Sequence, residues 1–248
     1  MYETLVAACV VKVGSTNRRV NVVFHEGPGS FPLHLMRLAS PSLPAGAFAY
    51  SRGLEWAVHS GTVSDESGAR DWILGTLEHS YAMLDGALFW RMIHALIQGD
   101  EEGFLAYDAW LAAGRESCEL ALEDKRTGEA LLRLLMDLEV PLARGDAGRA
   151  VTYPAIFAIA ILHWQIAPAD ALKGLMWSVV EGQVAAAIRL VPLGHTAGQR
   201  VLIAAVPVIE RAAGNAASLP DSEIGSVAPV MAMASAWHET QYSRLFRS

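Results

Sequence analysis

The sequence predicts an all-α protein, a single domain of about ten short helices. Three observations carry that reading. Apolar residues recur at spacings of three and four, as in Trp72, Ile73, Thr76, Leu77, Tyr81 and Leu84, which marks one buried helix face. Tyr153–His163 is apolar nearly all round, the pattern of a central helix. Beyond the first thirty residues no convincing strand pattern interrupts the series.

Residues 1–30 stand apart. LVAACVVKV and RRVNVVF are β-branched and alternate weakly, and EGPGS breaks the chain after them. They read as an N-terminal arm, poorly ordered or a weak strand, ahead of a helical domain spanning 31–248. His34–Ala39 forms a short helix, stopped by SPSLPAG (Ser40–Gly46), where Pro41 and Pro44 fix φ and disfavour helix in the residue before each. Helix resumes over Ala47–Ser60. Ser64–Asp65–Glu66 opens the next one, with a capping hydroxyl and acids in the first turn. Leu88–Ile97 continues helically until Gly99–Asp100, and Phe104–Ala113 and Glu116–Leu138 follow. Pro168 starts a helix with Asp170 close behind. That helix buries Leu172, Leu175, Met176 and Val179, and its small end, Ala185–Ala187, permits close helix approach. Pro192–Gly194 breaks the chain. Gln199–Ala213 resumes, kinked near Pro207. Gly214–Asp221 is a polar loop, and the last helix runs from Val227 to Glu239.

Composition excludes several classes of function. Apolar residues make up 52% of the 248 and charged residues only 18%, so a large core or an interface must hide the surplus. The net charge of −7 argues against a nucleic-acid partner. Cys9 and Cys118 form no CxxC, which fits a reducing compartment. No charged n-region followed by a continuous apolar stretch opens the chain, so no secretory signal is read. Ala150–Ala169 carries no charge and reaches the length of a bilayer span. Thr152, Pro154, His163, Gln165 and Pro168 interrupt it, and a core helix followed by a proline-started one accounts for it better.

Catalytic motifs are absent from the sequence. It holds no GxxxxGK[ST], no GxGxxG after a strand and no GxSxG. The histidines form no HxxxH, HExxH or HxH, so spacing yields neither a metal site nor a catalytic residue. Glu55 and His59 read as a solvated i,i+4 pair. Cys118 reads as a small buried hydrophobe. Glu116, Glu119 and Glu123 are spaced to share one helix face, with Asp124 beside them and Arg115 and Arg126 at the edges. The reading is a solvated, ion-paired face. The alternative is a small helical enzyme that uses Glu116, Glu119 and Glu123 as an acid–base set.

Three segments are too polar or too rich in anchors for simple packing. SPSLPAGAFAYSRGLEW (Ser40–Trp56) is a rigid turn leading into a helix with Tyr50, Ser51, Arg52 and Glu55. RLVPLGHTAGQR (Arg189–Arg200) carries His195, Thr196, Gln199 and Arg200. Both suit exposed, shaped surfaces on a scaffold. The terminal HETQYSRLFRS (His238–Ser248) offers Tyr242, Arg244, Leu245, Phe246 and Arg247. It is either a helix end folded back on its own domain or a docking element.

Together with RESCELALEDKRTG and the following LLRLL, AAAIRLVPLGHTAGQR and ASAWHETQYSRLFRS, these segments resemble the urease accessory protein UreF family. The resemblance runs from about Leu33 to the last residue and leaves out residues 1–30. It implies a cytoplasmic all-α homodimer without catalytic activity, cofactor or membrane span. Such a protein bridges UreD (UreH in some organisms) and the GTPase UreG, docks on apo-urease and aids nickel delivery, while GTP is bound by the partner. Tyr242, Arg244, Leu245 and Phe246 match the family tail associated with UreD/UreH contact, and His238, Glu239, Gln241 and Arg247 belong to the same partner-binding end. Pro41, Pro44, Gly46, Tyr50, Ser51, Gly53 and Glu55 match the signature loop and helix, which the resemblance assigns to the GTPase side or to the route for nickel. His195 and Gln199 complete the implied partner-binding set. Some positions depart from the family pattern: Ala47 stands where Gly is frequent, Ala49 where Ser is, Ala121 where Arg is, and His195 where Gln is. His195 adds either a nickel-facing nitrogen or a plain hydrogen-bonding substitute.

Overall fold

The computed structural model describes residues 6–13, 16–23 and 32–247. Residues 1–5, 14–15 and 24–31, which hold the rest of the expected arm, and Ser248 at the tail's end lie outside the described residues. Strands β1 (Val6–Val13) and β2 (Thr16–Val23) pair antiparallel, in register from Val6 opposite Val23 to Val13 opposite Thr16. From Leu33 onward the described chain is all-α. Its helices are α1 (Leu33–Ala39), α2 (Leu54–His59), α3 (Glu66–Thr76), α4 (Ala87–Gln98), α5 (Glu101–Ala113), α6 (Cys118–Asp137), α7 (Tyr153–His163), α8 (Pro168–Leu190), α9 (His195–Ser218) and α10 (Pro229–His238).

Local chemistry sets most of the boundaries. Asp65 caps α3 by accepting the Gly68 N–H at 2.8 Å. The expected cap was the Ser64 hydroxyl, but the helix begins one residue later, which puts the carboxylate at the capping position. Asp100, Ser117 and Thr152 cap α5, α6 and α7 in the same way. Asp108 ties the start of α7 to α5, because its buried carboxylate accepts the Val151 and Thr152 N–H groups and the Thr152 hydroxyl at 2.7–3.0 Å.

The core is centred on α7. Pro154 through Leu162 are all buried, and Phe157 packs against Phe89 of α4 with ring centroids 6.0 Å apart. Helices α4, α6 and α8 surround α7, and α8 and α9 pair with each other. The uncharged stretch Ala150–Ala169 is therefore divided between a core helix of 11 residues and the start of α8. Among the described residues α9 is the one helix long and apolar enough to cross a membrane by length and composition, and 44% of its apolar window is buried in the fold. It continues through Pro207.

Gly214–Ser218 is the end of α9 and not part of a loop, and two further expectations fail at the backbone. Ala47–Ser60 is not one helix. A 3₁₀ turn, Ala47–Ala49, is followed by extended Tyr50, and then by Arg52 at φ 53° and Gly53 at φ 81° before α2 begins. Successive left-handed residues cannot continue a right-handed helix. The left-handed residue of the preceding turn is Gly46 at φ 77°, so Ala47 needs no positive φ. The second departure is Leu77–Gly86, a π-helical segment that joins α3 to α4 where apolar spacing predicted an ordinary helix. Its wider turn still buries Leu77, Tyr81 and Leu84.

Candidate functional site: the proline turn and the terminal tail

The proline turn and the terminal tail, far apart in sequence, form one surface. α10 packs on α2 because Gly53 lets the two backbones meet. A Cβ there would lie 2.9 Å from the Ser235 nitrogen and 3.1 Å from the Met231 oxygen. Trp56 and Trp237 meet across the same contact with centroids 4.4 Å apart and ring planes tilted by 36°. This brings His238, the last residue of α10, between two carboxylates. Its Nε2 lies 3.1 Å from Glu55 Oε2 of α2, and its Nδ1 lies 2.8 Å from Glu119 Oε2 of α6. Each imidazole nitrogen thus lies within hydrogen-bonding distance of one carboxylate oxygen.

The same carboxylates hold the tail. Glu55 accepts the Leu245 N–H at 2.6 Å and the Phe246 N–H at 2.8 Å. Glu119 Oε1 accepts from Arg244 at 2.9 Å. The Arg247 N–H reaches the Ala49 carbonyl in the proline turn at 2.8 Å. Phe246 is buried, with the Arg189 guanidinium 4.6 Å above its ring. Glu239 turns back to accept the Cys118 N–H at 2.9 Å, at the start of α6. The Gln241 side chain bonds the Ser243 carbonyl within the tail.

The implied partner-binding residues therefore divide in two. Pro41, Pro44, His195, Gln199, Glu239, Tyr242, Arg244, Leu245 and Arg247 are exposed, Tyr242 completely so, and Gly46 and Gln241 are half-buried. Tyr50, Ser51, Gly53, Glu55, His238 and Phe246 are buried inside the monomer. In this conformation they are closed off from another polypeptide, and they hold the exposed residues of the tail in place. Glu55 shows why: the two backbone N–H groups and the imidazole packed around its carboxylate cover it from water. Exposed Phe48 adds an apolar tip to the proline turn.

Three other readings are corrected. Glu55 does not form a solvated pair with His59; only His59 is exposed, and Glu55 is 6% exposed and committed to the tail. Cys118 is exposed, not a buried hydrophobe, because it is the first residue of α6. The carboxylate face is neither solvated nor convergent. Glu116 is exposed, Glu119 grips the tail, and Glu123 turns the other way, toward Arg52, at 3.4 Å. Asp124 joins Asp85 in a buried cluster around Arg115, whose guanidinium donates to both at 2.6–3.0 Å. Among the described residues no group of three His, Cys, Asp or Glu side chains is placed to hold a metal ion. His195 stands exposed at the start of α9.

Comparison with known proteins points to one family. The family model for UreF matches residues 63–206, a stretch that contains α3 to α8 and leaves out the proline turn and the tail. Urease accessory protein UreF 2 of Brucella anthropi is 64% identical over 217 residues, covering 87% of this chain and 96% of its own. Urease accessory protein UreF of Alkalilimnicola ehrlichii is 43% identical over 223 residues, or 89% of this chain and 97% of its own. The protein of the same name from Hahella chejuensis is 40% identical over 216 residues, 87% and 97% of the two chains.

Proposed function

Since the chain belongs to the urease accessory protein UreF family, and so has a role in urease maturation in complexes with other urease accessory proteins, we propose that it is a non-enzymatic scaffold bridging UreD/UreH and the GTPase UreG. In this reading it works in the cytoplasm as a homodimer, regulates the GTPase and aids delivery of nickel, the cargo of the assembly, into apo-urease. GTP is held by the partner.

The observation that carries the reading is the anchored tail. Its root is fixed by Glu55, Glu119 and the burial of Phe246, while Tyr242, Leu245 and Arg247 point outward beside the exposed proline turn. Tyrosine and arginine dominate binding hot spots because they supply large contact area and directed hydrogen bonds. A root that is already ordered lowers the entropy cost of docking them.

The test is co-purification with UreD and UreG homologues, followed by nickel-dependent urease activation with and without this protein. Deleting Glu239–Ser248 abolishes the UreD interaction and leaves the helical circular dichroism intact. Wild-type affinity in the truncated protein removes the tail assignment, and full activation without the protein removes the scaffold role.

A further inference from the structure

Helix α1 is fastened to the body of the protein on two sides. On one, Leu35 lies so close to α8 that a Cβ on Gly174 would fall 2.5 Å from Leu35 Cδ1, and Leu38 is buried in the core. On the other, His34 and Arg37, one turn apart, both reach the indole of Trp164, the residue that follows α7. The His34 ring stacks on the indole with centroids 5.5 Å apart and planes 18° apart. The Arg37 guanidinium lies 4.3 Å from the centroid of the same ring. His163, the last residue of α7, meets Trp164 edge-on at 4.9 Å. The scaffold reading gives this cluster no task.

Three side chains that carry or can take a positive charge therefore surround one indole. Arg37 is charged at every ordinary pH, and histidine changes its charge between about pH 5 and 8. The indole face attracts a cation. Arg37 already supplies one, so each added proton brings like-charge repulsion. Burial first, and the neighbouring His34 second, hold the His163 imidazole below the ordinary histidine range, and no carboxylate acts against them. The charged groups on the opposite side of α1, Asp170, Lys173, Glu181 and Glu210, line the grooves beside Leu35, where Lys173 pairs with Glu210 at 2.6 Å.

The direction follows from linkage. An imidazole whose proton affinity is lowered while α1 is docked takes its proton more readily once α1 has moved away. Docking is at full strength above the ordinary histidine value, and it weakens as pH falls from that value through the lowered one. His34, Arg37 and His163 are exposed, so water screens the repulsion and the effect is a few-fold.

We propose that His34, Trp164 and His163 form a proton-sensitive latch on α1, closed at neutral pH and loosened in mild acid by charge on the two imidazoles beside Arg37. α1 ends at Ser40, whose carbonyl accepts the Leu43 N–H at 2.9 Å as the proline turn begins. Loosening α1 therefore frees the root of that turn. The latch goes beyond the scaffold function and stands without it.

The experiment follows amide hydrogen exchange of the full chain, each rate divided by that of an unstructured chain at the same pH. Between about pH 8 and about pH 5.5, protection of Met36, Leu38 and Leu43 falls about two- to fivefold. Ile159, inside the buried α7, reports unfolding of the whole protein and does not share that loss. His34→Phe with His163→Gln keeps a ring on Trp164 but removes both titrating groups, and the response disappears. His34→Lys places a lasting charge there, and α1 is then as open at about pH 8 as the unsubstituted protein is at about pH 5.5. The latch is overturned by unchanged protection of α1 across the range, by an equal loss at Ile159, by a response that survives in the double variant, or by full protection of α1 in His34→Lys.

Discussion

Glu55 and Phe246, 191 positions apart, are joined by a hydrogen bond of 2.8 Å from the Phe246 backbone N–H to Glu55 Oε2. With the Leu245 N–H and His238 on the same carboxylate, this makes Glu55 the clamp that orders the terminal tail. Glu55→Ala removes the acceptor and frees the tail, and amide hydrogen exchange at Leu245 and Phe246 rises toward that of an unfolded chain. His238→Ala is also destabilising, because it removes the hydrogen-bond partner that two buried carboxylates share, a loss of about 1–3 kcal/mol. Denaturant unfolding measures it. Unchanged exchange in Glu55→Ala contradicts the clamp.

Phe246 and Tyr242 give opposite responses. Phe→Ala at a buried site costs about 3–5 kcal/mol locally, but at a chain end the loss is confined to opening of the tail. Phe246→Ala therefore shifts the melting temperature little while raising proteolytic cleavage after Glu239. Tyr242, fully exposed, changes stability by no more than about 0.5 kcal/mol when replaced by Ala, yet that variant binds the UreD homologue more weakly. A pull-down alongside limited proteolysis separates the two effects.

Gly46 and Gly53 share a left-handed backbone, at φ 77° and 81°, but not their surroundings. Alanine at Gly46 meets nothing within 4 Å and carries only the conformational cost of about 1–2 kcal/mol. Alanine at Gly53 adds overlap with the backbone of Ser235 and Met231, a further 1–3 kcal/mol or about that, and it loosens α2 from α10. Urea denaturation of the two variants shows Gly53→Ala to be clearly the less stable.

Stability should also depend on pH through Glu123. Burial pushes its carboxyl above the ordinary glutamate range, against the pull of Arg52. An acid with a raised folded-state pKa holds its proton more tightly in the native protein than in the unfolded chain. Between the ordinary value and the raised one, stability therefore falls as pH rises, and above that window the penalty is constant. Asp124 shifts in the same direction, again through burial first. Glu123→Gln removes the first of these contributions, so its stability relative to the unsubstituted protein is greatest at neutral pH and declines as pH falls toward the ordinary glutamate range. Thermal melts of both proteins across that range read the difference.

Much of the fold was legible because it is local. The spacing of Trp72, Ile73 and Leu77, the all-round apolar character of Tyr153–His163 and the proline at 168 each act within a few residues of themselves, and the helices formed where these signals stand. The break at Gly53 was not legible, because it answers to α10 packed against it, and apolar spacing does not distinguish the π-helical Leu77–Gly86 from an ordinary helix. The carboxylates show the same limit. Glu119 and Glu123 are one helical turn apart on α6, and periodicity gave them one face and one role. Glu119 meets the tail and Glu123 meets Arg52 because different elements pack on either side of the helix.

By itself, then, the sequence determined the helical architecture, the central position of α7 and membership in an accessory-protein family, since composition, periodicity and motif order are properties of the chain taken segment by segment. Tertiary structure alone decided that Glu55 and His238 are buried clamps, that Phe246 anchors while Tyr242 is presented, and that Arg52 and Glu123 face each other. Those roles depend on which surfaces lie within about 3 Å of one another, and that distance is set by how α2, α6, α8 and α10 pack, at separations in sequence that no local pattern spans.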